Sequence, residues 1–132
     1  MEKCVKNAEE FSSDVVIYGR CDVCEDGRIV KKPMQVPQTL FSGDAVKDEV
    51  LPALFTYGMG FGVSAWGKMF NLEAICRHQL RFFSEREVIS EDAYFALEFF
   101  SKARVVTVIN ENLYFYFKRQ TSLSRVYRPD RQ

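Results

Sequence analysis

The order of apolar and polar positions divides the chain into short elements. Glu2 to Phe11 carries a helical pattern. It leads through Ser12-Ser13 into Asp14-Val15-Val16-Ile17-Tyr18-Gly19, an apolar β-branched run between turn residues that predicts a buried strand. Arg20 to Cys24 and Arg28 to Lys32 flank Glu25-Asp26-Gly27, and the Asp-Gly pair predicts a hairpin between two polar, marginal strands. Pro33 and Pro37 then interrupt regular structure. Ser42 stands as N-cap of a helix from Gly43 to about Thr56, with Asp44 complementing the helix dipole and Ala45, Val46, Val50, Leu51 and Leu54 forming its apolar stripe. Pro52 bends or shortens that helix.

Gly58, Gly60 and Gly62 mark a flexible connection before Val63 to Phe70 rejoins the body. Asn71 caps a helix to about Gln79, and Ser84 with Glu87 has capping-box spacing. Ser90 caps a helix from Glu91 to about Ala103, whose polar residues Glu91, Glu98 and Lys102 form a narrow stripe. Phe95 falls within that stripe, so the helix either has a second covered face or shows an aromatic ring to a neighbour. Val105 to Ile109 predicts a central strand, and Leu113 to Phe117 a strand with one Leu/Phe face and one Tyr face. Helices alternating with strands, without repeat or linker, predict one α/β (α+β) layered domain over residues 1–132.

Composition narrows the function classes. A chain of 132 residues with 47% hydrophobic types is the size of one core. Eighteen basic residues balance eighteen acidic ones, so net charge predicts no nucleic-acid partner. The local exception is the end of the chain, where Lys118, Arg119, Arg125, Arg128 and Arg131 face Asp130 alone, a tail that would suit phosphate or an anionic surface but reads first as a frayed, solvated C-terminus. No segment reaches the ~18 consecutive apolar residues of a membrane span, and the first residues lack the apolar core of a signal peptide. Cys4, Cys21, Cys24 and Cys76 are too unevenly spaced for a secreted disulfide framework. The expectation is a cytoplasmic chain, peripheral at most to the inner face of the membrane.

Several residues could carry chemistry. Cys21-Asp22-Val23-Cys24 has C-x-x-C spacing but runs into a hairpin turn rather than a helix N-terminus, and Cys4, Cys76 and His78 supply no second close pair for zinc. Gly58-Met59-Gly60-Phe61-Gly62 lacks the third glycine and preceding strand of a dinucleotide loop, and the single histidine, His78, cannot anchor a hydrolytic triad. Glu91-Asp92 opens an apolar helix. There a carboxylate at a pocket rim can take a proton from a hydroxyl, although the pair also serves as ordinary dipole capping. Tyr114, Tyr116, Arg119 and Ser122 offer hydroxyls and a guanidinium suited to sugar or phosphate oxygens.

Taken in order, Trp66-Gly67-Lys68-Met69-Phe70, the helix-opening Glu91-Asp92 and Tyr114 through Arg119 to Ser122 resemble the C-terminal half of family 2 glycosyltransferases of the bacterial polysaccharide type. Asp14 to Gly19, Asp26-Gly27 and Leu40-Phe41-Ser42-Gly43 look like the segment that follows the metal motif in those enzymes, so the resemblance covers residues 8–125. It implies a partial GT-A-like mixed sheet with flanking helices, lacking the N-terminal nucleotide-binding half. It also implies an inverting reaction, with Mg or Mn and a nucleotide-sugar belonging to the full-length family. By position, Asp92 matches the catalytic base with Glu91 beside it, Trp66 and Lys68 lie on the acceptor side, and Arg119 and Ser122 match the segment that closes over the donor diphosphate.

The departure is the Asp-x-Asp metal motif, for which Glu9-Glu10 and Asp14 have the wrong spacing. No metal ligand is therefore assigned, and no cofactor is expected in this chain. The expectation is an acceptor-binding fragment, inactive or nearly so alone, that takes a saccharide acceptor in an intact enzyme. It should form homo-oligomers through Phe95 and the face of Tyr114 to Phe117. The competing readings are a non-catalytic interaction module and, less favoured, a thiol or zinc protein built on Cys21 and Cys24.

Overall fold

The computed structural model describes residues 1–84, 86–88 and 90–119. Helix α1 (Glu2–Phe11) closes on Ser12, whose left-handed φ of 51° turns the chain into β1 (Val15–Val23). Then come β2 (Ile29–Lys32), β3 (Leu40–Ser42), a π-helical turn (Val46–Val50), α2 (Leu51–Thr56), β4 (Lys68–Phe70), α3 (Leu72–Arg77), α4 (Glu91–Lys102) and β5 (Val105–Phe117). The five strands form one mixed sheet in the order β2-β1-β5-β3, with β4 on the first half of β1. Among the described residues the β1–β5 pair alone is parallel; the β1–β2, β1–β4 and β3–β5 pairs are antiparallel.

The β-branched runs are central because both faces of the paired segments are covered. Val15 and Ile17 align with Val106 and Val108, and this face joins Phe41, Val50, Leu54, Phe99 and Phe100 in the main core under α2 and α4. The opposite face, carrying Val16 and Ile109, packs on Cys4 of α1. Burying such side chains stabilises by about 1.5–3 kcal/mol each. Asp14 locks the start of the parallel pair, its Oδ2 accepting from the N–H groups of Arg104 (2.6 Å) and Val105 (3.1 Å). Buried Ser13 and Thr107 satisfy one another across the same junction, with hydroxyl oxygens 2.9 Å apart.

Several sequence expectations change. The polar stretch after Gly19 is no marginal strand: β1 continues through Val23 because β5 pairs with it along its whole length. The two strands expected over 105–117 are one, bulged where Asn112 pairs with Gly19. A Cβ at Gly19 would lie 2.3 Å from the Asn112 side chain and 3.0 Å from the Glu111 carbonyl oxygen, so only glycine accommodates the bulge. The Asn112 amide nitrogen, turned toward its acceptors, donates to the carbonyl oxygens of Arg20 (3.3 Å) and Lys32 (3.2 Å), tying β1 to β2. Ser42 ends β3 instead of capping a helix. The helix expected from Gly43 is π-helical over Val46–Val50: Leu51 N–H reaches back to the Val46 carbonyl, and Pro52 has no N–H to continue the ladder.

Helix α4 is rotated relative to its expected polar stripe. Tyr94, Leu97 and Ser101 face solvent, and Phe95 is only 3% exposed. Phe95 is therefore not an intermolecular contact. Phe82 stacks on it with centroids 4.1 Å apart, and Phe70 meets it edge-on at 5.4 Å. Ser90 makes no side-chain capping bond, whereas Asn71 caps α3 as expected, accepting from the N–H groups of Glu73 and Ala74. At Ser84, the Glu87 carboxylate accepts the Ser84 N–H at 3.1 Å, the half of a capping box in which the acidic side chain reaches back.

Candidate functional site

The candidate site is built by strand register. Opposed residues share a sheet face, so Arg20 comes into line with Lys32 and Tyr114, and Asp22 with Val30 and Tyr116. Trp66, in the loop before β4, lies over this face: its ring is stacked on Tyr114 at 5.4 Å and tilted against Tyr116 at 5.3 Å. The Arg20 guanidinium sits 4.7 Å from the Trp66 centroid.

Beneath this layer Asp22 is 1% exposed and surrounded by cations. Arg20 Nε stands 3.1 Å from Oδ1, and Lys118 Nζ and Lys32 Nζ stand 3.0 and 3.6 Å from Oδ2. Burial works against the charged carboxylate, but Lys118, Arg20 and Lys32 outweigh it and hold the Asp22 pKa below its ordinary value. One buried negative charge is thus shared by three positive ones.

Beside the layer opens a cavity of about 210 Å³, whose wall includes Arg20, Lys32, Tyr57, Ser64, Trp66 and Lys68. The glycine loop expected to be a flexible connection forms one side of it, pinned by buried Met59 and Phe61. Tyr57 leans over this loop: a Cβ at Gly62 would lie 2.2 Å from a Tyr57 ring carbon. Lys68 is buried at 9% exposure and donates to the carbonyl oxygens of Gly62 and Ser64, each at 2.7 Å. Desolvation pushes its pKa down to about 8, with the negative charge of Asp92 acting in the opposite sense.

Asp92, in the first turn of α4, is half-buried. Burial raises its pKa and Glu91 adds to the rise, while the Ala65 backbone N–H and Lys68 oppose it. The net shift is upward, toward a carboxylate that holds a proton more readily. Asp92 does not itself line the cavity; it reaches it through Lys68 and through Ala65, which belongs to the lining loop.

Of the residues expected from sequence, the fold brings together Asp92, Glu91, Lys68 and the Trp66 loop. It engages Trp66 in packing and leaves Arg119 exposed just beyond β5. Ser122 lies outside the described residues. Cys21, Cys24, Cys4 and Cys76 are free thiols, and Cys24 closes the hairpin turn through its backbone. Among the described residues no three His, Cys, Asp or Glu side chains converge on one point. Sequence reasoning passed over Arg20, Asp22, Lys32 and Tyr57. The available signal was the Arg-x-Asp alternation leaving an apolar strand, which puts opposite charges on one sheet face.

The architecture has solved counterparts. TarS of S. aureus in complex with UDP-GlcNAc aligns over 96% of this chain with a TM-score of 0.66 at 20% identity. The same protein in complex with UDP aligns over 90% (0.60, 18% identity), and without a stated ligand over 87% (0.59, 18% identity). The fold is glycosyltransferase-like. This chain spans about a third (33%, 31% and 31%) of the length of those structures. No family model matches the chain, and no curated protein matches it. Among the described residues no helix is long and apolar enough to cross a membrane.

Proposed function

We propose that this chain forms the acceptor-binding, base-bearing part of an inverting glycosyltransferase of family 2 type, corresponding to the C-terminal half of such an enzyme. The observation that carries the reading is Asp92: a half-buried carboxylate of raised proton affinity beside a buried lysine of the cavity wall, in a glycosyltransferase-like fold. In this reading the acceptor hydroxyl gives its proton to Asp92 as its oxygen attacks the anomeric carbon of the donor. The bond from that carbon to the diphosphate breaks, and configuration inverts. Glu91 stands next to the base and raises its proton affinity. Lys68 keeps its positive charge close to the base and holds the 62–64 loop.

In this reading the nucleotide-sugar is held mainly by groups other than the described residues, Arg119 apart, and no step is routed through a metal. The isolated chain is accordingly expected to transfer no sugar. Arg119 and Ser122 are assigned to the donor diphosphate, and the chain to an enzyme of polysaccharide or glycolipid assembly, on the sequence resemblance alone; the cytoplasmic placement rests on the composition of the sequence. Two measurements test the proposal. Calorimetry with UDP and Mn is expected to show no binding tighter than ~1 mM; micromolar affinity overturns the placement of the donor site. An NMR titration of the Asp92 carboxyl is expected to give a midpoint above that of an ordinary aspartate, and a lower one overturns its assignment as base.

A second reading, assembly with another copy, is favoured by one sheet face. Cys21, Lys31 and Phe115 line up on it, as do Val23, Ile29 and Phe117, and Ile29, Phe115 and Phe117 are each more than half exposed. Beyond Val108, β5 pairs only with β1 among the described residues. Light scattering should find a dimer or larger species that Phe115→Lys dissociates; a monomer across the concentration range removes this reading.

A further inference from the structure

The lining of the 210 Å³ cavity has an uneven charge. Arg20, Lys32 and Lys68 reach it, and among the described residues no carboxylate does. Asp22, the countercharge behind the wall, is already shared by Arg20, Lys32 and Lys118. The local sum of those four groups is three positive against one negative, or +2. Lys32 is the loosest partner at 3.6 Å, with a side chain 41% exposed, and so is free to turn to a ligand. Arg20 uses Nε on Asp22, leaving its terminal N–H groups for a second acceptor.

Trp66 is already engaged by Tyr114, Tyr116 and Arg20, and of the aromatic residues lining the cavity among the described residues Tyr57 is the most exposed. Tyr57 is 63% exposed, lines the cavity and carries a left-handed φ of 55°. A non-glycine residue in that region costs about 1 kcal/mol or more, so the backbone is held there by its surroundings. The Tyr57 ring rests over Gly62, where the missing Cβ leaves it room. An exposed ring in a cavity wall offers its electron-rich face to the C–H edge of a sugar. The volume is below the ~300–1,000 Å³ of drug-sized sites and suits one monosaccharide-scale unit.

We propose that this cavity binds an anionic saccharide unit, its phosphate or carboxylate held by Arg20 and Lys32 and its ring stacked on Tyr57. The proposal deepens the acceptor-side reading above and rests on it for the identity of the ligand as the acceptor. Neutral saccharides lack the group that Arg20 and Lys32 would hold, so charge is the basis of selection.

The single tryptophan, Trp66, lies in the cavity wall and against Arg20, which makes its emission a direct reporter. The chain is titrated at constant ionic strength with glucose 6-phosphate, glucuronate, glucose and inorganic phosphate. Saturable change is expected with glucose 6-phosphate, glucuronate or both, telling a phosphate from a carboxylate ligand, and at least about tenfold weaker response with glucose. Lys32→Ala, at an exposed side chain, should weaken the anionic sugars about tenfold without altering the circular dichroism spectrum. Tyr57→Ala should weaken the anionic sugars and leave inorganic phosphate unchanged. The proposal is overturned if glucose binds as well as the anions, if no anionic sugar saturates, or if either substitution leaves sugar binding unaltered. Anion binding with an ordinary Asp92 titration would keep this site and remove the base; a raised Asp92 midpoint without anion binding would do the reverse.

Discussion

Lys68 Nζ donates at 2.7 Å to the carbonyl oxygen of Ser64, four residues earlier, and so holds a charged group inside the wall of the cavity. Desolvation places its pKa near 8, below the ordinary 10.5. Below pH 8 both folded and unfolded chains carry the proton, and the fold bears the whole cost of burying the charge. Between about pH 8 and 10.5 the folded chain has released a proton that the unfolded chain still holds, so stability rises with pH. Cys4 and Tyr18, whose pKa values burial raises, act in the opposite direction in the alkaline range. The comparison is therefore with Lys68→Met, in which those contributions cancel. The stability of the natural chain relative to Lys68→Met should increase by about 3 kcal/mol across that window, read from urea melts. A flat difference would mean that Lys68 is solvated.

Asp92 has a separable structural role. Its carboxylate faces the Ala65 N–H, yet burial and Glu91 raise its pKa. A group with a raised folded pKa contributes fully below its unfolded pKa, and that contribution is lost as pH rises through the folded value. Relative to an aspartate of the unfolded chain, the folded surroundings disfavour the ionised form. Asp92→Asn keeps an acceptor for Ala65 and removes the charge, so it should be at least as stable as the natural chain at pH 7. Asp92→Ala loses the acceptor and should be about 1 kcal/mol less stable than Asp92→Asn. Thermal melts of the two variants at pH 5 and 7 check the order.

How much of this was legible follows from sequence separation. The runs Val15 to Ile17 and Val105 to Ile109 announced the central strands because each is apolar and β-branched by itself, and Asn71 announced α3 because its cap bonds two nearby N–H groups. The cover over Phe95 was not legible, since Phe82 arrives from a loop that no helical wheel contains. The cavity was hidden for the same reason: Arg20, Lys32, Tyr57 and Lys68 meet only after β1, β2 and the glycine loop have paired and packed. Asp92 and Lys68 were singled out through the family-like order of motifs rather than through local propensity, and the fold sets Lys68 in the cavity wall with the Asp92 charge near it.

Asp22 should matter for stability in acid. Its three cationic partners keep its pKa low, so its contribution is present above the ordinary aspartate value of ~3.9 and is lost only as pH falls through the lower folded value. Asp22→Asn leaves Arg20, Lys32 and Lys118 facing one another. Breaking a fully buried pair costs about 3–5 kcal/mol, and the solvent contact of these cations reduces the expectation to about 1–3 kcal/mol. Urea melts at pH 7 check the loss. The gap between the two chains should narrow only below about pH 4.

The bulge at Gly19 gives the sharpest test of how the two halves of the sheet are joined. There β5 gains residues on β1, and the Asn112 amide crosses to bond the Arg20 and Lys32 carbonyl oxygens. Gly19→Ala would drive a methyl group to 2.3 Å from that amide and 3.0 Å from the Glu111 carbonyl oxygen. The amide can swing away, but the carbonyl belongs to the backbone and cannot move without the strand. The substitution should cost about 2–3 kcal/mol. Adding Asn112→Ala should remove the side-chain clash without restoring the natural stability, because the Glu111 contact persists and the bridge to β2 is lost. A double-mutant cycle by urea denaturation measures the coupling. Full additivity of the two substitutions would show that Gly19 and Asn112 do not meet.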